Sequence, residues 1–136
     1  MIARGSQIAF AKQCLTELSV KRLIIRRVIL LLRREIAALC SDRVGSVMLG
    51  SSPKEMCEFD IHKFIEEAKE HAPVLIDILE SLTKSRITTI NQPAIMVMIL
   101  ASLCRCKRPR MSLLHKIISV IMYFGHCTKK VIIYIY

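Results

Sequence analysis

Two strongly apolar segments with a short basic segment between them make up residues 92–127 of the sequence. The first segment follows Pro93, which suits the first turn of a helix because it has no backbone N–H to donate. Nearly every residue in 94–103 is apolar, and a helix that is apolar on all sides is normally buried. Charge returns at Arg105, well before the roughly 20 residues that a membrane span needs. We therefore predict a central core helix here, not a transmembrane helix.

The second apolar segment, residues 111–124, predicts a helix with one narrow polar face. Polar or partly polar side chains recur at helical spacing along that face, at Ser112, His115, Lys116, Ser119 and Tyr123. The apolar residues on the other faces are predicted to face the core, at Leu113, Leu114, Ile117, Ile118, Val120, Ile121 and Phe124. Gly125 follows, at the position where a left-handed helix cap is common. Together the two helices predict a central apolar hairpin around residues 92–125.

The sequence before residue 92 also predicts helices. Residues 6–18 and 19–39 predict two helices or one continuous helix, and Ser52 with Glu55 forms a capping-box pattern. Asp60 is a good N-cap for the next helix, which Pro73 should end. Glycine and small polar residues mark 41–51 as a loop, and 83–91 is predicted to be another. These features predict an all-α protein, an irregular bundle of five to seven helices forming a single domain over residues 1–136.

Positive charge is concentrated at the two ends of the chain, which carries a net charge of +10. Residues 1–50 contain nine Lys or Arg against three acids, and residues 51–80 contain three Lys against eight acids. Residues 81–136 contain nine Lys or Arg and no acid. This distribution favours either an anionic partner or intramolecular docking of the basic ends on the acidic middle.

The helix predicted over residues 19–39 has a basic edge. Arg22, Arg26 and Arg33 share one side of it, with Arg27 and Arg34 next to them. The apolar face lies opposite and comprises Ile24, Ile25, Val28, Leu31, Leu32 and Ile36. One interpretation is a helix that contacts phosphates or a membrane surface. The other is the ordinary solvated face of a bundle helix.

A second basic cluster lies between the two apolar segments. It comprises Arg105, Lys107, Arg108 and Arg110, with Lys116 close by if the connection is tight. Such a cluster predicts salt-sensitive contacts with nucleic acid that do not depend on base sequence. The alternatives are an acidic protein surface as partner, or a cluster that only keeps an apolar hairpin soluble. A membrane partner is disfavoured, although the mean hydropathy of +0.43 and the apolar C-terminal tail keep it open.

The sequence predicts neither catalysis nor a cofactor. It lacks the phosphate-binding glycine motifs and the H-E-x-x-H metalloprotease motif. Cys104 and Cys106 point about 200° apart on one helix, so we interpret the six cysteines as structural thiols and not as metal ligands. No secretory signal precedes these cysteines, which favours a nuclear or cytoplasmic protein in a reducing compartment.

Three segments carry a resemblance to other proteins. They read REIAALCSDRVGSVM, then FDIHKFIEEAKEHAPVL, then RMSLLHKIISVIMYFGHCTKKV, and together they span roughly residues 33–131. The order of these segments resembles a group of multicopy animal proteins of corals, sponges, molluscs and fish, whose longer members resemble mobile-element-derived proteins. The resemblance implies the N-terminal helical region of such a protein and assigns no catalytic residue.

The chain departs from that group at its C-terminus. Similar proteins continue beyond the position of Val131 as a longer helix and a large downstream region. Here residues 131–136 form a short apolar tail with no polar face. We therefore expect a truncated fragment, and a fragment without independent function is the alternative to an interaction module.

Overall fold

The computed structural model describes residues 3–84 and 91–125, with side chains from residue 5 onward. The described residues form seven α-helices and one 3-10 helix, and none of them lies in a β-strand. The α-helices are α1 Ala3–Thr16, α2 Leu18–Leu39, α3 Pro53–Cys57, α4 Ile61–His71, α5 Pro73–Thr83, α6 Gln92–Lys107 and α7 Leu113–Phe124. The 3-10 helix, Val47–Leu49, lies in the predicted loop 41–51. The prediction of an all-α irregular bundle is confirmed. The tail 131–136 and most of the predicted loop 83–91 lie outside the described residues.

The chain divides into two compact units between Arg34 and Glu35. The first unit contains α1 and most of α2, which meet at Glu17. The backbone N–H of Glu17 bonds to the carbonyl of Gln13 at 3.4 Å, and that of Lys21 bonds to the carbonyl of Glu17 at 2.9 Å. The two helices therefore follow one another with a local break only. None of the described side chains in residues 5–34 is buried.

The second unit has a hydrophobic core built mainly from α4, α5 and α6, which pack against one another. Its largest fully buried side chains are Phe64, Leu39, Met48, Ile76, Leu100, Met111, Leu113, Val97 and Cys104. The core thus draws on every helix of this unit except α3. Burial of apolar side chains on this scale is the main favourable term in folding.

Several helix boundaries follow the local signals in the sequence. Ser52 and Glu55 form the predicted capping box, because the Ser52 hydroxyl accepts from the Glu55 N–H and the Glu55 carboxylate accepts from the Ser52 N–H. The Asp60 carboxylate accepts from the His62 N–H at 2.9 Å, as an N-cap should. Pro73 ends α4 and begins α5, also as predicted. Gly125 caps α7 with φ −78°, so the expected left-handed cap is wrong.

The predicted burial of α6 is correct for one face only. Met96, Val97, Leu100, Ala101 and Cys104 are buried along that face. The opposite side leaves large apolar side chains exposed, at Ile95, Met98 and Ile99. The expectation that all sides of this helix are covered is therefore wrong for the described residues. Among them, α4, α5 and α7 pack on α6 and leave this side exposed.

The predicted orientation of α7 is wrong in part: Leu113 is buried and Tyr123 is exposed as predicted, but other positions differ. Ser119, expected on the solvent face, is buried, whereas Val120, Ile121 and Phe124, expected in the core, are exposed. Burying Ser119 costs little because its hydroxyl donates to the carbonyl of His115 at 2.8 Å within the same helix. The helix packs on α3 and the 3-10 helix. These contacts determine which face of α7 is buried, whereas the apolar periodicity of its own sequence does not.

A buried carboxylate fixes the start of α5. Ala72 occupies the N-cap position and supplies no side-chain acceptor. Glu35, near the end of α2 and only 8% exposed, accepts hydrogen bonds there from the N–H groups of Val74 at 3.2 Å and Leu75 at 2.9 Å. A charged acceptor at a helix N-terminus is favourable both as a cap and towards the helix dipole. Glu35 therefore caps α5 from a distant part of the sequence.

We predict that Glu35→Ala lowers the free energy of unfolding by about 2–4 kcal/mol, because it leaves two N–H groups near the core without an acceptor. Chemical denaturation of the full chain measures this loss. Glu66→Ala, which removes an exposed carboxylate from α4, is the matched control and should change stability by no more than about 0.5 kcal/mol. Equal losses in both variants would contradict the proposed cap.

Candidate anion-binding surfaces

The first candidate surface is the arginine edge of α2, which we define as Arg22, Arg26 and Arg33. At 100° per residue these side chains fall within an arc of about 40°, and 11 residues at 1.5 Å place the ends about 16 Å apart. All three are exposed, as are Lys21, Arg27 and Arg34. Residues 18–34 contain no acidic residue. The helix therefore presents an elongated positive surface with no carboxylate on the same segment to neutralise it.

The second candidate surface is the hinge cluster between α6 and α7, which we define as Arg105, Lys107, Arg108 and Arg110. Arg108 has an internal role. Its guanidinium donates to the carbonyl of Cys40 at 2.9 Å and forms an ion pair with Asp42. This side chain therefore joins the hinge to the turn that follows α2, and its charge is already partnered.

The other members of the hinge cluster differ in exposure. Lys107 and Arg110 are exposed, and Arg105 is half-buried on α6 near His115. Lys116 is half-buried on α7 and lies near Glu55. Hydrogen bonds from the Ser52 N–H and hydroxyl lower the pKa of Glu55, and the charge of Lys116 adds a smaller effect. The hinge thus offers fewer free cations than the sequence predicts.

The arginine edge and the hinge cluster belong to different compact units. Within the second unit, Arg105, Lys107 and Arg108 share the last turn and cap of α6. Each of the two clusters is defined by residues that lie close together in the chain, so the sequence alone identifies its members. It does not predict the contact of Arg108 with Cys40 and Asp42, which lie more than 60 residues away.

The described residues of the second unit include two prominent clefts. One, of about 370 Å³, lies beside the 3-10 helix and is lined by Glu55, Glu58 and Lys63 among others. The other, of about 490 Å³, lies between α4, α5 and α6, where Lys69 and Glu80 form an ion pair at 3.5 Å. Each cleft contains both signs of charge. Neither therefore concentrates positive charge as the arginine edge does.

The described part of the chain was compared with the requirements of a metal site and of a membrane-spanning helix, and it meets neither. It contains no group of three or more His, Cys, Asp or Glu side chains arranged to hold a metal ion. None of its helices combines the length and the hydropathy needed to cross a bilayer. Cys104 is buried and Cys106 is exposed, as expected for residues that point in different directions on one helix.

Comparisons with protein-family models, with curated proteins and with solved structures found no match for this chain.

His115 provides a pH-dependent test of the packing of α7. Its Nδ1 atom is buried and has no hydrogen-bond partner among the described residues. Burial, with a smaller effect from the positive charge of Arg105, lowers the pKa of His115. The folded state therefore resists protonation of this imidazole, and unfolding takes up a proton below the ordinary histidine pKa of about 6.5.

We predict that the contribution of His115 to stability is fully present above about pH 6.5 and is lost as the pH falls through its lower folded pKa. Denaturant midpoints measured between about pH 7.5 and pH 5 should show this loss. His115→Gln should make the dependence shallower, whereas His62→Gln, which changes an exposed histidine of α4, should leave it as in the wild type. An unchanged slope in His115→Gln would contradict the prediction.

Proposed function

We propose that this chain is a helical interaction module that binds nucleic acid without base specificity through the arginine edge of α2. One observation carries the proposal: three exposed arginines lie on one side of a helix whose residues 18–34 contain no acid. Lysine and arginine side chains that neutralise phosphates release condensed counterions, and this release drives non-specific binding. An extended row of guanidinium groups suits a polyanion, because several phosphates can be contacted in sequence.

The hinge cluster is proposed as a secondary contact. Lys107 and Arg110 are exposed and available, whereas Arg108 is partnered within the protein. The four-residue basic cluster therefore adds fewer phosphate contacts than its composition predicts. An acidic protein surface is the alternative anionic partner for both surfaces.

The biological context that we propose comes from the sequence resemblance. The three segments that carry this resemblance favour the helical region of a mobile-element-derived protein, and we propose that such a region contacts nucleic acid. A nuclear or cytoplasmic location, in a reducing compartment, is part of the same proposal. A fragment without independent function is the alternative, and it predicts no binding in the experiment below.

We predict that Arg22→Gln, Arg26→Gln and Arg33→Gln combined weaken binding to duplex DNA of any sequence. Because each phosphate contact contributes about 0.9 to the slope of log K against log salt concentration, the loss of three should reduce the slope by about 2.7. Fluorescence anisotropy of labelled duplexes over a series of salt concentrations measures both effects.

The matched control changes Lys54, Lys63 and Lys69 to Gln, which removes the same charge from exposed positions of α3 and α4. The control should keep most of the salt slope of the wild type. Equal changes in both triple variants would show that net charge matters and the arginine edge does not. Binding that is insensitive to salt would exclude phosphate contacts altogether.

A second candidate function is binding to an anionic membrane surface. The observation that favours it is the exposure of Ile24, Val28 and Leu31, which lie on the side of α2 opposite the arginine edge. Phosphate contacts alone leave these apolar side chains in water. A basic amphipathic helix lying in a lipid interface would cover them while its cations meet anionic headgroups.

Vesicles distinguish the two functions. If the membrane is the partner, the protein should sediment with vesicles that contain anionic lipid and not with purely zwitterionic ones. Ile24→Ser with Val28→Ser should then weaken vesicle binding roughly tenfold or more, because two apolar side chains no longer enter the interface. The same variant should leave duplex binding unchanged. No sedimentation with anionic vesicles would exclude this function.

A further inference from the structure

Two cysteines that are far apart in the sequence meet in the second unit. Cys40 follows the last residue of α2, and Cys104 lies in the last turn of α6. The Cys40 thiol donates to the carbonyl oxygen of Cys104 at 3.7 Å. Cys40 is 4% exposed and Cys104 is fully buried. The Cys40 sulfur therefore contacts the residue that carries the second thiol, and both residues are shielded from water.

The surroundings make the two thiols chemically different. The hydrogen bond from Cys104 lowers the pKa of Cys40, as do the positive charges of Arg108 and Lys107, although burial opposes them. Arg108 is held in place by its hydrogen bond to the Cys40 carbonyl and its ion pair with Asp42. The same hydrogen bond and burial raise the pKa of Cys104. One member of the pair thus favours the nucleophilic thiolate and the other favours the neutral thiol.

We propose that Cys40 and Cys104 form an oxidation site at which a hydroperoxide produces an intramolecular disulfide. The Cys40 thiolate attacks the distal oxygen of the peroxide, the O–O bond breaks, and the leaving oxygen takes up a proton as water or an alcohol. Cys40 is then a sulfenic acid. The Cys104 sulfur attacks the Cys40 sulfur, the S–O bond breaks, and the hydroxyl leaves as water with the proton of Cys104. Overall, two thiols are oxidised and one peroxide is reduced.

The other described cysteines lack this arrangement. Cys57 and Cys106 are exposed, and Cys14 lies in the other unit. Cys106 is two residues from Cys104 but points to a different side of α6. Among the described residues, Cys40 is therefore the thiol that combines a nearby second sulfur with two flanking cations.

A disulfide here would join the turn after α2 to the end of α6. These segments are already linked by Arg108, so the bond would covalently reinforce a contact that the folded chain makes. Closing a loop of this length restricts the unfolded chain, so the oxidised protein should melt about 10 °C above the reduced protein. Redox state would then set the stability of the second unit.

In the test, the reduced and folded full chain is treated with hydrogen peroxide. The remaining thiols are then blocked by alkylation, and the tryptic peptides are mapped without reduction of disulfides. Cleavage after Lys and Arg places Cys40 in the peptide 35–43, Cys104 in 87–105 and Cys106 in 106–107. We expect a cross-link between 35–43 and 87–105 with the loss of two hydrogen atoms. A cross-link through 106–107, or oxidation of Cys57 and Cys106 while Cys40 stays reduced, would overturn the proposal.

Variants test the order of steps. Cys104→Ser should accumulate sulfenic acid at Cys40 that a cyclic 1,3-diketone traps, whereas Cys106→Ser should form the cross-link as the wild type does. Lys107→Gln, an exposed change beside the pair, should slow cross-linking by roughly twofold or more, since it raises the Cys40 pKa. Lys54→Gln is the control and should leave the rate unchanged. Equal rates in both lysine variants, or no trapped Cys40 in Cys104→Ser, would argue against the proposed nucleophile.

Discussion

The second unit depends on the contact between the Glu35 carboxylate and the first turn of α5. Pro73 begins α5 immediately after α4, and the Ala72 between them has no side-chain acceptor, so the first N–H groups of α5 need an acceptor from elsewhere. Glu35 supplies it from the end of α2, more than 35 residues earlier. Because α5 packs on both α4 and α6, fixing its start also fixes the geometry of the core. A carboxylate near the core is tolerated here because it accepts two hydrogen bonds at the positive end of a helix.

Acidic residues elsewhere in the second unit serve backbone groups in a similar way. Glu55 accepts from two N–H groups at the start of α3, and Glu67 accepts from the Ser46 hydroxyl and the Val47 N–H at the 3-10 helix. Acidic residues from the middle of the sequence thus act as hydrogen-bond acceptors at helix starts. Among the predicted anion-binding residues, Arg108 forms an ion pair with Asp42. This use of charge is why we propose an external polyanion for the arginine edge.

Residues close together in the sequence were enough to predict several helix boundaries. The face that each helix buries was decided by tertiary packing. The capping box at Ser52 and the Asp60 cap appear in the structure because their partners lie within three residues. The face of α7 was predicted wrongly because a helix with one polar stripe and many apolar positions offers several faces for packing. Ser119 can be buried when its hydroxyl bonds within its own helix, so polarity alone did not identify the solvent side.

The sequence by itself determined the fold class, the starts of the capped helices and the two clusters of positive charge, because each depends on residues close together in the chain. Only the tertiary structure brought Cys40 to Cys104, assigned Arg108 to an internal contact and placed Glu35 at the start of α5. Those contacts join residues roughly 40 to 70 positions apart, and no local pattern encodes such a pairing. The physical reason is that side-chain chemistry sets what a residue can bond, whereas the packing of distant helices decides which partner it meets.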